Sequence, residues 1–118
     1  MATIAANAAE SKKALETIVL ETGKVSYLAD YFVICSGDNP AQIKAMSDAI
    51  QAALEKFGLR PMGEERDKTN KWFLLDYGDI VVHVMHRNER QYYQLEHFWN
   101  HANVVERDQW VREERQAS

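Results

Sequence analysis

The side chains able to do chemistry are few, and their spacing decides what they can do together. There are four histidines: His83, His86, His97 and His101. His83 and His86 stand three apart in an apolar, β-branched run, so on a strand they point to opposite faces and cannot share a metal ion. His97 and His101 are four apart, a helical spacing that could hold zinc. Between them lie Phe98, Trp99 and Asn100, without the glutamate of a His-Glu-x-x-His site, and no third ligand is evident. No metal site is expected. The single cysteine, Cys35, sits in an apolar run with no basic neighbour to activate its thiol, and it reads as a core residue. One cysteine also excludes an intramolecular disulfide and a Cys-based zinc centre. A reducing, cytoplasmic setting is the default. Ser36 precedes Gly37, but nothing around it resembles a nucleophile elbow. Asp76 and Asp79 flank a turn, and no Asp-x-Asp pair offers a seat for two metal ions. These residues describe a binding module without a cofactor rather than an enzyme.

The best-marked positioning element is the stretch from Trp72 to Met85. Two runs rich in β-branched and aromatic residues flank Gly78-Asp79, the signal for a β-hairpin with a tight turn. With that turn, Tyr77 faces Ile80, Leu75 faces Val82 and Phe73 faces Val84. Alternation puts these six on one face, which reads as core. The opposite face carries Trp72, Leu74, Asp76, Val81, His83 and Met85. Two readings are open for it. A helix could cover it, with Asp76 and His83 at the edge, or it could meet another protein, since Trp and Met among few charges suit an interface core.

The chain has 118 residues, enough for one domain with a real core. A net charge of −4 argues against nucleic acid as the direct partner, because phosphate binding needs a basic surface. It leaves a basic protein open. No apolar run approaches the ~20 residues that span a membrane, and the N-terminus lacks a secretory signal pattern.

Residues 1–10 are Ala-rich and are expected to fray or to lengthen a first helix, whose pattern runs from about Ser11 through Ala14, Leu15 and Ile18. A strand over Ile18–Thr22 follows, stopped by Gly23. Lys24 to Asp30 is a connection. Tyr31–Ser36 is continuously apolar, which predicts a strand buried on both faces and central in its sheet. Asp38 or Asn39 can cap the next helix, with Pro40 at its first position. Ile43, Met46, Ile50, Leu54 and Phe57 form its apolar stripe, and Gly58 stops it. A strand, a glycine turn and a helix N-terminus can hold phosphate, but one glycine beside an acid makes a poor cradle. Residues 61–66 read as a short polar strand and 67–71 as a turn. From Asn88 or Glu89 a helix gathers Tyr92, Leu95, Phe98 and Trp99 on one side, with Tyr93 and Glu96 beside them. From Glu106 the chain is charged around a lone Trp110 and reads as a solvated extension or frayed helix. The expected organisation is a single domain over 11–105 between the N-terminal segment 1–10 and the charged extension 106–118.

Three blocks carry a family resemblance. Leu28-Ala29-Asp30-Tyr31-Phe32-Val33-Ile34-Cys35-Ser36-Gly37, Trp72-Phe73-Leu74-Leu75-Asp76-Tyr77-Gly78-Asp79-Ile80-Val81-Val82-His83 and Arg90-Gln91-Tyr92-Tyr93-Gln94-Leu95-Glu96-His97-Phe98-Trp99 resemble the Iojap family, the ribosomal silencing factors. The blocks stand in the family's order and spacing, and the resemblance covers roughly residues 11–103. The resemblance implies an α/β fold, a mixed β-sheet with helices packed on it, of nucleotidyltransferase-like topology. It implies a cytoplasmic, non-enzymatic protein that binds the large ribosomal subunit through ribosomal protein L14, blocks joining of the small subunit and represses translation when nutrients run short. It further implies a homodimer when free. Large-subunit assembly through the same docking site is the alternative role. A nucleotidyltransferase-like enzyme using the Gly37 loop is a further one, against which the missing Asp-x-Asp stands.

Joined to the residue reading, the resemblance places the partner contact on the second hairpin face and the last helix. Trp72 and Leu74 would be apolar anchors, and Asp76 and Asp79 would face Lys or Arg. Tyr92 and Tyr93 would add contact area with hydroxyl handles. Tyr77 belongs to the same motif, although the register puts it on the core face near the tip.

Overall fold

The structure is a computed structural model and describes residues 2–23, 29–94, 103–105 and 107–111. The expectations for Leu28, Leu95, Glu96, His97, Phe98, Trp99 and His101 lie outside the described residues.

The described strands are β1 (Leu15–Glu21), β2 (Tyr31–Gly37), β3 (Gly63–Arg66), β4 (Trp72–Asp76), β5 (Ile80–His86) and β6 (Asn103–Val105). They form one sheet in the order β3-β4-β5-β2-β1-β6. β2 and β5 run parallel, and every other pair is antiparallel. The sheet is therefore mixed, and β2 sits inside it with Phe32 through Gly37 all buried, as its unbroken apolar run predicts.

Helices α1 (Ala2–Glu10) and α2 (Pro40–Glu55) share a core with one face of the sheet, and α3 (Arg87–Tyr93) follows β5 directly. Residues 107–111 are also helical. Asn39 caps α2, its Oδ1 accepting from the Gln42 N–H at 2.8 Å. Ile43, Met46, Ile50 and Leu54 are buried, whereas Phe57 is exposed. The helix ends at Glu55, and Gly58, at φ +78°, turns the chain so that the Leu59 N–H reaches back to the Leu54 carbonyl. Phe57 falls in that turn and leaves the stripe. A Cβ on Gly37 would stand 3.1 Å from Gln42 Oε1 and 3.2 Å from Met46 Sδ. The glycine is there because α2 packs close, and Gln42 Oε1 already accepts from the Asp38 N–H at 2.7 Å. The loop is filled by its own side chain.

Two expectations are corrected. The first helix is the Ala-rich segment itself, with Ala2, Ala5, Ala6 and Ala9 buried against the core. It closes at residues 11–13, where Lys13 takes φ +63°. Leu15 and Ile18 then lie on β1, where the β-branched Thr17, Ile18 and Val19 favour a strand. Trp110, expected in a solvated extension or a frayed helix, is 1% exposed. β6 pairs with β1, Val19 opposite Val105, and so brings the chain back beside the sheet. Asn7 Nδ2 donates to the Trp110 carbonyl at 2.9 Å, and the Arg107 guanidinium stacks on the indole at 5.4 Å while also meeting Glu10 at 2.8 Å. Of the described charges in this segment, Arg107 and Asp108 are exposed while Trp110 turns inward.

Candidate partner-binding surface

The hairpin takes the expected register, Phe73 opposite Val84 and Leu75 opposite Val82. The Tyr77 N–H donates to the Ile80 carbonyl at 2.9 Å, and Gly78 sits at φ +84°, where a Cβ would be strained. Asp76 Oδ1 accepts from the Gly78 N–H at 2.8 Å, so this carboxylate clasps the turn. The Asp79 carbonyl accepts from the N–H groups of Asp30 and Tyr31 at 2.8 and 3.1 Å, which latches the tip to the start of β2.

The second face has a small core of its own: Leu20, Phe32, Ile34 and Met85, with Ile18, Trp72 and Val81 against it. From this core a ladder of rings runs outward. Phe32 lies 5.6 Å from His83, His83 5.9 Å from Trp72, Trp72 4.9 Å from Tyr93, and Tyr93 4.9 Å from Tyr92, edge to face. His83 is buried, whereas Tyr93 is 44% and Tyr92 80% exposed. The Trp72 indole N–H donates to His83 Nδ1 at 3.1 Å. Burial pushes the His83 pKa down to about 4, so at neutral pH the ring is uncharged and its Nδ1 is free to accept. Glu65 on β3 stands opposite Leu74, so it joins Asp76 as a second acid on this face.

α3 carries the outer two rings, and two side chains fix it. His86 Nδ1 caps it by accepting from the Asn88 N–H at 3.1 Å. Arg90 is buried, and its Nη1 donates to the Glu16 carbonyl and to Ser36 Oγ, the latter at 3.0 Å. Glu16, at φ +50°, lies where the β1–β2 register shifts, between Leu15 and Ile18. Sequence reasoning gave Arg90 no role. Its acceptors lie 74 and 54 residues away, and nothing local separates it from the exposed Arg87. Glu65 was missed as well, although alternation along β3 against β4 would have found it.

Of the seven expected contact residues, Trp72, Leu74 and Asp76 share the second face, and Tyr92 and Tyr93 join Trp72 through the ring ladder. Tyr77 and Asp79 do not. They line a cavity of about 460 Å³ beyond the hairpin tip, together with Ala2, Tyr31 and Val105. The Tyr77 hydroxyl is buried without a hydrogen-bond partner among the described residues, and its pKa is pushed up to about 12 by burial first and by the Glu64 charge second. Burial likewise pushes the Cys35 thiol up to about 12, which leaves it no thiolate at neutral pH. Among the described residues no group of three His, Cys, Asp or Glu side chains could hold a metal ion, and no helix is long and apolar enough to cross a membrane.

The full span 1–118 matches the family model described as ribosomal silencing factor during starvation. The chain is 37% identical over 103 residues to the ribosomal silencing factor of Halalkalibacterium halodurans, covering 87% of this chain and 88% of that one. It is 37% identical over 105 residues to that of Bacillus subtilis, covering 89% of each. A crystal structure of a Chromobacterium violaceum protein superposes with a TM-score of 0.78 at 35% identity, covering 82% of this chain and 81% of that one. With the three sequence blocks carried on β2, on the β4–β5 hairpin and from α3 onward, this chain belongs to the family of ribosomal silencing factors.

Proposed function

We propose that this protein represses translation by docking its hairpin face and α3 on the large ribosomal subunit, through ribosomal protein L14, so that the small subunit is sterically kept from joining. The observation that carries the reading is the ring ladder that begins in the core at Phe32 and ends in solvent at Tyr92, with Glu65 and Asp76 on the same face. Proteins that sit on RNA are basic. An aromatic patch with acids beside it suits such a partner in both composition and charge. Trp72 is the natural anchor. His83 already holds its indole, so little rotamer freedom remains to be lost on binding. A Trp at an interface centre often contributes ~2 kcal/mol or more, about thirtyfold in affinity. The setting is cytoplasmic and the free protein is a homodimer. A dimer made through the hairpin face would compete with docking, so added L14 should convert it to a one-to-one complex in sedimentation, and a dimer that persists in the complex would place its interface elsewhere.

The test is co-sedimentation with separated ribosomal subunits. The protein should pellet with large subunits and stay in the supernatant with small ones. A Trp72→Ala, Asp76→Lys double variant should lose the large-subunit pellet. Asp76→Asn keeps an acceptor for the Gly78 N–H and so separates the charge from the turn it clasps. It should bind more weakly while unfolding at nearly the same urea concentration. If the wild-type protein stays in the supernatant from low to physiological salt, the ribosome reading fails.

A further inference from the structure

The outer end of the ladder is built more specifically than an apolar patch requires. Tyr92 is 80% exposed, yet its ring is held against Tyr93 at 4.9 Å and 80°, and Tyr93 is held against Trp72. The helix beneath them is pinned by the Arg90 bonds to Glu16 and Ser36. These phenol rings are therefore oriented before any partner arrives. A phenol ring presents a negative face, which attracts cations. Glu89 lies three residues before Tyr92 and four before Tyr93 on α3, a spacing that sets it on the same side of the helix, with Cβ atoms about 5–6 Å apart. The basic residues of α3 are turned elsewhere, Arg87 to Asp38 at 3.2 Å and Arg90 inward to Ser36.

We infer that Tyr92, Tyr93 and Glu89 form a cation-binding subsite that receives one lysine or arginine side chain of the protein partner. The cation lies over the exposed Tyr92 ring, and the Glu89 carboxylate faces its charge. This rests on the docking reading and deepens it by naming the group that the end of α3 recognises. An RNA base stacked on Tyr92 is the competing occupant. It would bring phosphates toward Glu89 in a chain of net charge −4, which is unfavourable.

The experiment is co-sedimentation with isolated large subunits at two salt concentrations. The variants are Tyr92→Phe, Tyr92→Leu, Glu89→Lys and a series with mono- to trifluorinated phenylalanine at position 92. Tyr92 is mostly solvated, so none of its replacements should disturb folding. A cation–π contact of ordinary strength makes Tyr92→Leu bind about fivefold more weakly and leaves Tyr92→Phe within about twofold of wild type. Affinity should fall stepwise with fluorine number, because fluorine drains the ring face without changing its shape. Glu89→Lys should weaken binding, most at low salt.

Equal binding by Leu, Phe and the fluorinated rings would reduce the site to apolar packing and overturn the inference. Tighter binding by Glu89→Lys would assign the ring to RNA and overturn it too. Wild-type protein that fails to pellet removes the docking reading and this inference together. Wild-type protein that pellets, with a flat series at position 92, removes this inference alone.

Discussion

Trp110→Ala should cost about 3–5 kcal/mol of folding stability, a large share of what a domain of this size holds. The indole is 1% exposed and belongs to the same apolar cluster as the α1 alanines, Val19, Val33 and Val82. Those alanines are too short to collapse into the space it would leave, so most of the cavity term persists. The variant also loses the stack with Arg107, whose pair with Glu10 remains. The Asn7 bond to residue 110 survives, because its acceptor is the backbone carbonyl. Urea unfolding followed by far-UV circular dichroism measures the loss, and Trp110→Phe should recover part of it. A loss under about 1 kcal/mol would mean that the segment does not support the core. Large-subunit binding should be unchanged below the melting transition, since Trp110 packs on the face of the sheet opposite Trp72.

From sequence alone Trp110 reads as part of a solvated extension or frayed helix, and the structure buries it for a physical reason. Local patterns report local geometry. The hairpin was legible because its alternation has period two and its turn needs a residue at positive φ, which Gly78 supplies. β2 and α2 were legible for similar reasons, an unbroken apolar run and a capped stripe. α1 was misread because its buried face is made of alanines, which carry almost no hydropathy contrast. Trp110 is not legible as buried because the stretch around it is rich in charge, while the Asn7 that bonds it lies on α1, 103 residues away. The second hairpin face was legible by alternation, including Trp72, Leu74 and Asp76. Its link to Tyr92 and Tyr93 was not. Trp72 pairs with Met85 and Leu74 with His83, so the Trp72–His83 bond is diagonal, and only the path of α3 brings Tyr93 onto the same indole. Tyr77 and Asp79 were grouped with the interface by motif, although the tip latch to Asp30 and Tyr31 turns them toward a different cavity.

Acid should act on this protein through His83. Burial lowers its pKa in the folded state to about 4 from an ordinary 6.5, while the unfolded chain keeps the ordinary value. Above pH 6.5 neither state binds the proton and the group has no effect on stability. As the pH falls below 6.5 the unfolded chain takes up a proton that the folded one refuses, so stability is lost from there down to about pH 4. The loss is ~2 kcal/mol by pH 5 and approaches ~3 kcal/mol at the lower end. His83→Gln stays neutral at every pH and keeps a carbonyl that can accept from the Trp72 indole. Wild type should therefore fall ~2 kcal/mol further than His83→Gln between pH 7 and pH 5 in urea unfolding. The remaining histidines and the carboxylates are common to both proteins and cancel in that difference. Parallel curves would mean that His83 is solvated in the folded state. The same burial makes the docking face insensitive to mild acid. An imidazolium cannot accept from the indole, but His83 stays neutral in the folded protein until the pH nears 4. The Trp72 anchor should therefore keep its hydrogen bond, and large-subunit binding its Trp72 contribution, between pH 8 and pH 6.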